Sequence, residues 1–264
     1  MSRMNGSNRA MVWGTSGVAA AVLALTACSA SSGDDDTKAS GKGEKSGAAT
    51  ALPHQTKPGS SAPDEWTQPE QWAALPRGKR TDNNGNEVLF PHTAEGAVSM
   101  LSAANSTTAQ GSRDMVDEQM GAYDSYLAAA DQTPTNKQKV KQRAIQTDAA
   151  LREKFGIPAK GDMPPGAYSR ARTVGFKIIK KSKDEVSVYI LARVTMKAGA
   201  IEKTHSSYTR TLMAAEWEGD DWKMSSAATL RAAQHVEGQP QPAMAAPGDK
   251  KFNRSGWTAV RGTS

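Results

Sequence analysis

Cysteine is the scarcest residue of this chain, because Cys28 is the only one among 264 residues. A single cysteine excludes an intramolecular disulfide bond. Any exported folded part must therefore be stabilised by its apolar core alone, which requires a domain of reasonable size.

Histidine is almost as rare, and the four histidines show no metal-ligand spacing with one another or with a carboxylate cluster. They are His54, His92, His205 and His235. The sequence also lacks a phosphate-binding glycine loop and a G-x-S-x-G nucleophile motif. We therefore expect no metal, no cofactor and no enzymatic activity.

Long apolar runs are absent after residue 27, so no later segment is expected to span a membrane. Residues 1–27 carry two arginines and no acidic residue, and the formal net charge falls from +6 to +4 without them. This excess of positive charge is too mild to indicate a nucleic-acid-binding protein.

The one apolar run extends from Ala10 to Ala27. Arg3 and Arg9 are the only charged residues before Asp34, so a positive region is followed by an apolar region and then by small residues. This order is typical of a bacterial export signal. Its strongly apolar part, residues 18–25, is too short for a convincing membrane-spanning helix.

The end of this run, Leu25-Thr26-Ala27-Cys28, resembles a bacterial lipobox, in which an aliphatic residue and two small residues precede a cysteine. The resemblance implies transfer of a diacylglyceryl group to the Cys28 sulfur and cleavage between Ala27 and Cys28. Acyl chains on one residue hold a protein stably on a bilayer. We expect a lipoprotein on the extracytoplasmic face of the cell membrane, with an uncleaved N-terminal anchor as the alternative.

Composition divides the chain into five segments. They are a signal peptide (1–27), a flexible tether (28–63), a transition segment (64–87), a folded domain (88–231) and an irregular C-terminal tail (232–264). The tether has almost no large apolar side chain, so it cannot offset the entropy lost on ordering. In the tail, Phe252 and Trp257 are the only large side chains, and we expect them to pack on the domain.

Within the predicted domain, the apolar period changes from helical to alternating at Pro164-Pro165-Gly166. Three helices are predicted before this point, the first of them capped by Thr93. The strands predicted after it are Tyr168–Lys180, Val186–Met196, Ile201–Trp217 and a fourth that begins at Trp222. The predicted fold class is α+β, with three N-terminal helices packed on a curved four-stranded antiparallel sheet. Alternation places Val174, Phe176 and Ile178 on one face of the first strand.

The order of these elements between Phe90 and Ser226 resembles the cone-shaped fold of the nuclear-transport-factor-two-like superfamily. Two shorter stretches, Phe90–Val98 and Gly248–Trp257, are similar to segments of uncharacterised actinobacterial envelope proteins, some of them associated with conjugative elements. Characterised proteins with the cone fold include assembly components of type IV secretion and conjugation machines. Those proteins usually have a membrane-spanning N-terminus, whereas this chain has a lipobox.

Asp148 is the one ionisable residue on the apolar stripe of the third predicted helix, between Ala144 and Leu151. A buried aspartate has a raised pKa and can act as a general base. The alternative places Asp148 at the edge of the stripe, where it has no catalytic role.

Two functions follow from these observations. The first is a lipid-anchored, non-enzymatic module that binds a protein partner of the envelope, in conjugative transfer or secretion. The second is a cone-fold enzyme or small-ligand binder at the cell surface. A pocket that contains Asp148 or another ionisable group favours the second function, and a solid core with exposed apolar surface favours the first.

Overall fold

The computed structural model describes residues 66–261. The predicted lipobox (Leu25, Thr26, Ala27 and Cys28) and the predicted tether therefore lie outside the described residues. Among the residues that are described, no helix is both long enough and apolar enough to cross a membrane.

The described chain contains five α-helices and nine short or long strands. The helices are α1 (Ala94–Ala104), α2 (Met115–Tyr126), α3 (Pro134–Phe155), α4 (Ser226–His235) and α5 (Lys250–Arg254). The strands are β1 (Trp72–Ala73), β2 (Arg80–Thr81), β3 (Glu87–Val88), β4 (Thr107–Gln110), β5 (Tyr168–Lys181), β6 (Glu185–Lys197), β7 (His205–Glu218), β8 (Asp221–Met224) and β9 (Thr258–Val260).

Three long antiparallel strands, β5, β6 and β7, form the centre of a seven-stranded sheet with the order β1-β9-β5-β6-β7-β8. Strand β4 also pairs with β5, and β1 lies parallel to β9, so the sheet is mixed. Strands β2 and β3 form a separate hairpin.

Capping side chains determine where the first helices begin. Thr93 accepts a hydrogen bond from the Gly96 N–H at the start of α1, as predicted. Asp114 and Asp117 form a capping box at the start of α2. Helix α3 begins at Pro134, because Thr133 is its cap and proline fits the first helical position.

The predicted α+β class agrees with the structure, but the predicted count and arrangement of elements are wrong. The described residues form a seven-stranded mixed sheet with five helices, where a four-stranded antiparallel sheet with three helices was predicted. The missed strands β1, β4 and β9 have two to four residues each, which is too short to show a period. The tail predicted to be irregular contains α5 and β9.

The main core lies between α1, α2 and the inner face of the sheet. Val186, Val188 and Ile190 of β6 belong to this cluster, together with Val98 and Leu101 of α1, and all five are fully buried. A second cluster joins the other end of β5 and β6 to α2 and α3. The interior of the domain is therefore filled mainly by apolar side chains, with a smaller set of buried polar residues.

One prediction about β5 is wrong because this strand contains a β-bulge. Its register against β6 shifts between Thr173 and Gly175, so β5 has one extra residue there. This extra residue reverses the face of the sheet to which odd-numbered and even-numbered side chains of β5 point. Phe176 and Ile178 point to the main core, whereas Val174 packs on the outer face of the sheet.

The C-terminal segment covers this outer face. Phe252 and Trp257 are 0% and 1% exposed and pack against Tyr189 and Leu191 of β6, which confirms that they fold back onto the domain. The Phe252 ring also needs Gly175 beneath it, because a Cβ at that position would lie 3.0 Å from two ring carbons.

We expect Phe252→Ala to lower the free energy of unfolding by about 3–5 kcal/mol, because it leaves a cavity against the sheet. Urea unfolding of the purified full chain measures this loss. Met244→Ala is the matched control, since Met244 is 56% exposed and its truncation should change stability by less than about 0.5 kcal/mol. An equal effect of the two substitutions would contradict the structural role of the C-terminal segment.

Candidate functional site

Asp148 is buried, but it is engaged in an ion pair. Its Oδ2 accepts a 2.6 Å hydrogen bond from Arg152 Nε, and its Oδ1 lies 3.4 Å from the Met115 N–H. Arg152 also donates to the Pro158 carbonyl. Asp148 thus joins the start of α2 to the last turns of α3, and it lines neither of the two cavities described below.

The predicted absence of a metal-binding arrangement among the histidines rests on spacing alone, and His54 lies outside the described residues. His92 stacks on Trp217, with ring centroids 3.8 Å apart, and its Nε2 lies 2.9 Å from Asp184 Oδ1. His205 begins β7 and His235 ends α4, so the three described histidines lie on separate elements. Residues 66–261 contain no group of three or more His, Cys, Asp and Glu side chains able to hold a metal ion.

The most distinctive surface of the domain is the outer edge of β7. This strand pairs with β6 from His205 to Glu216, but β8 covers only its last residues, from Ala215 to Glu218. The β8 side of residues 205–213 therefore carries no strand.

The residue Ala214 shows which backbone groups of β7 face this edge. Its N–H donates to Thr229 Oγ1 and its carbonyl accepts from the Ser225 N–H, both at 3.1 Å and both away from β6. The β6–β7 register is continuous, so every second residue directs its N–H and carbonyl to the same side. The residues that do so are Ser206, Tyr208, Arg210 and Leu212. Their edge-facing backbone groups have no hydrogen-bond partner within the described part of the chain.

Neighbouring segments contact two other edges of the sheet. On β4, the Thr108 N–H donates a 2.6 Å hydrogen bond to Glu118 Oε2. Burial raises the pKa of the Glu118 carboxyl, although this hydrogen bond and the nearby Arg113 oppose the shift. On β8, the Met224 carbonyl accepts from the Ala128 N–H. An open edge of this length is unusual, because proteins normally cover or charge such strands.

A cavity of about 580 Å³ adjoins the open edge on the outer face of the sheet. Apolar parts of its lining come from Tyr189, Leu212 and Val236, and polar parts come from Arg210, Gln234, Glu237, Gln239 and Gln241. The Arg210 guanidinium donates to the Gln241 side chain and to the Pro242 carbonyl, which fixes the loop that forms one wall. The cavity therefore has the mixed lining of a side-chain-binding pocket.

The outer face at this end of the sheet is strongly basic. Its cations are Arg170, Arg172, Arg193, Lys197 and Arg210. Strand β5 has no acidic residue, and Glu185, Glu216 and Glu218 lie at the opposite end of β6 and β7.

Two of these cations, Arg172 and Arg193, are directly opposite each other in the β5–β6 register, which is an unfavourable cross-strand pair. Arg193 is held in part by hydrogen bonds from its guanidinium to Ser206 Oγ at 3.1 and 3.3 Å. An acidic group placed over this face would relieve the repulsion between the two arginines.

Comparisons of the chain with protein-family models, with curated proteins and with solved structures found no match. The resemblance to the nuclear-transport-factor-two-like superfamily therefore stays a prediction. The site rests on its own geometry, which consists of an open strand edge, an adjoining cavity and a basic face.

Most of β7 lies within the predicted strand Ile201–Trp217. The open edge of this strand was not predicted. The openness depends on the length of β8, which ends at Met224 because Ser225 caps α4. The Ser225 hydroxyl accepts a hydrogen bond from the Ala228 N–H. A serine three residues before this N–H is typical of a helix N-cap, and it is the one sequence signal that β8 ends at Met224.

We expect Asp148→Ala to lower the free energy of unfolding by about 3–5 kcal/mol, because it leaves the Arg152 guanidinium buried without its carboxylate. Urea unfolding again measures the loss. The double variant D148L/R152M should recover much of the stability, since it removes both charges. A wild-type stability for Asp148→Ala alone would show that the ion pair has no structural role.

Proposed function

We propose that this chain is a lipid-anchored protein of the cell envelope whose folded part is a non-enzymatic module that binds another protein. The observation that carries the proposal is the open edge of β7. An extended polypeptide adds to such an edge as a further strand, with main-chain hydrogen bonds that supply affinity. A lipid or a sugar does not offer the alternating N–H and carbonyl groups that this edge requires.

The partner segment is extended and acidic. The cations of the outer face, among them Arg193 and Lys197, have no acidic side chain beside them on the sheet, so charge complementarity selects carboxylates. The cavity next to Leu212 accepts an apolar side chain of the same segment, which adds specificity to the backbone ladder.

The proposed anchor limits where this partner lies. In this proposal an acylated Cys28 holds the chain on the membrane, and the predicted tether of about 35 residues has a typical reach of roughly 30 Å. The partner is therefore an envelope protein at or near the membrane surface. We propose an assembly for conjugative transfer or secretion, on the basis of the resemblance in Phe90–Val98 and Gly248–Trp257.

The anchor has a direct test. Mass spectrometry of the native protein should find Cys28 as the N-terminal residue, carrying acyl chains. We expect Cys28→Ala to release the protein from the membrane or to leave it unprocessed. If Cys28→Ala remains membrane-bound with residues 1–27 intact, the segment is a transmembrane anchor and the lipidation proposal is wrong.

The docking edge is tested by photo-crosslinking in native membranes, with a photoreactive residue in place of Ser207 of the full-length protein. We expect a defined crosslinked partner, and mass spectrometry should locate the crosslink in an extended acidic segment of it. Ser206→Pro should reduce this product at least about tenfold, because it removes an edge-facing N–H and places a ring in the ladder.

Two controls make this experiment specific. Ser206→Ala also removes the hydroxyl that Arg193 contacts, but it keeps the backbone N–H and should retain the crosslink. A photoreactive residue in place of Lys183, in the β5–β6 turn, should not give the same product. Undiminished crosslinking in Ser206→Pro, a crosslink only to a second copy of this chain, or no reproducible product would each contradict the proposal.

A further inference from the structure

The first described segment, residues 66–73, crosses the C-terminal segment as a strap. The Thr67 N–H donates a 2.8 Å hydrogen bond to the Gly248 carbonyl. Further along the strap, the Glu70 N–H donates to Asn253 Oδ1 at 3.2 Å. The strap ends in β1, which pairs with β9. These contacts hold the side chains of the strap in defined positions on the outer face of the sheet.

The strap exposes two tryptophans. Trp66 and Trp72 are 44% and 41% exposed, whereas Trp257 on the same side of the sheet is 1% exposed. The Trp66 ring lies against Gly248, where a Cβ would clash with the indole. Ala73 packs against the main core, so alternation along β1 places Trp72 on the outer face. Two exposed indoles on one surface are typical of a contact site, because large apolar groups in water are costly.

Helix α5 lies beside the strap and presents two cations on its outer side. Phe252 is fully buried against the sheet, and residues two positions before and after it lie about 200° away around a helix. Lys250 and Arg254 therefore project away from the sheet, and both are exposed. Their side chains form no hydrogen bond or ion pair within the described part of the chain.

Acidic residues near this surface keep its net charge small. Glu70 belongs to the strap, and Asp249 caps α5 by accepting from the Lys251 N–H. Asp64 and Glu65 precede the strap in the sequence and lie outside the described residues. Net charge therefore does not select the partner of this surface. The indoles and the two outward cations of α5 do so, since aromatic rings beside long cationic side chains are typical of surfaces that meet a bilayer.

We infer that the strap and α5 form a membrane-contact face, defined by Trp66, Trp72, Lys250 and Arg254, that binds phospholipid headgroups. The two indoles lie at the boundary between headgroups and acyl chains, and the two cations pair with lipid phosphates. The predicted tether ends next to the strap, so this contact, which rests on the proposed membrane anchor, is held within reach of the bilayer. A weak contact is populated under these conditions, because the tether gives it a high effective concentration.

The membrane-contact face and the open edge of β7 do not overlap. The strap ends in β1, at one end of the sheet, and β9, β5 and β6 lie between β1 and β7. Contact of the strap with a bilayer therefore leaves the edge of β7 free for a protein partner.

Quenching of tryptophan fluorescence by brominated lipids tests this contact. The full chain is purified from native membranes and reconstituted into vesicles of phosphatidylcholine and phosphatidylglycerol. The chain contains six tryptophans, so the emission difference between the wild type and Trp66→Phe/Trp72→Phe isolates the two indoles of the strap. We expect bromine on the acyl chains of the phosphatidylcholine to reduce this difference at least about twofold, because it quenches only indoles that reach the acyl chains.

A matched pair of variants separates a contact through α5 from a general effect of charge. Lys250→Gln/Arg254→Gln should weaken the quenching at least about twofold, because it removes both outward cations of α5. Lys139→Gln/Lys141→Gln removes the same charge from exposed positions of α3 and should leave the quenching unchanged.

Two outcomes would overturn the inference. One is the same emission difference in brominated and unbrominated vesicles, whether or not the chain sediments with them. The other is a protein crosslinked in native membranes to a photoreactive residue in place of Trp72, which would show that a protein covers this face. Sedimentation with the vesicles reports on the proposed anchor separately, so a failure of the anchor and a failure of the membrane-contact face are distinguishable.

Discussion

The rest of the domain depends on the backbone ladder that joins β6 to its two long neighbours. Strand β6 pairs with β5 on one side and with β7 on the other along nearly its whole length. Its even-numbered residues, such as Val188, pack beneath α1 and α2, and its odd-numbered residues, such as Leu191, pack beneath the C-terminal segment. Because β6 is buried on both faces, its register fixes the positions of the helices, of the C-terminal segment and of both sheet edges.

The proposed docking edge arises because the long strand β7 extends beyond the short strand that pairs with it. On β7, the uncovered stretch spans nine residues and offers a repeating series of backbone groups, which only a polypeptide matches. On β5, the stretch without a partner strand spans only three residues. The length of the gap therefore decides whether a further strand can pair at a sheet edge.

Alternation over 13 or 14 residues made the three long strands predictable, and capping at Thr93 made the start of α1 predictable. The short strands were not predictable, because β9 is defined by pairing with β5 and not by any period of its own. The bulge in β5 places Val174 on the opposite face from Phe176. A strict alternation of apolar and polar residues predicts the same face for both, so it cannot predict the bulge. The open edge of β7 was missed for a related reason, since the openness of a strand depends on the lengths of its neighbours.

The parallel pairing of β1 with β9 brings Trp72 next to Ala259, although 187 positions separate them in the chain. Such a contact has a high loop-closure cost and forms only after the last residues of the domain are available. During synthesis, Phe252 and Trp257 are still missing when β5, β6 and β7 have already been made. The outer face of the sheet is therefore completed last.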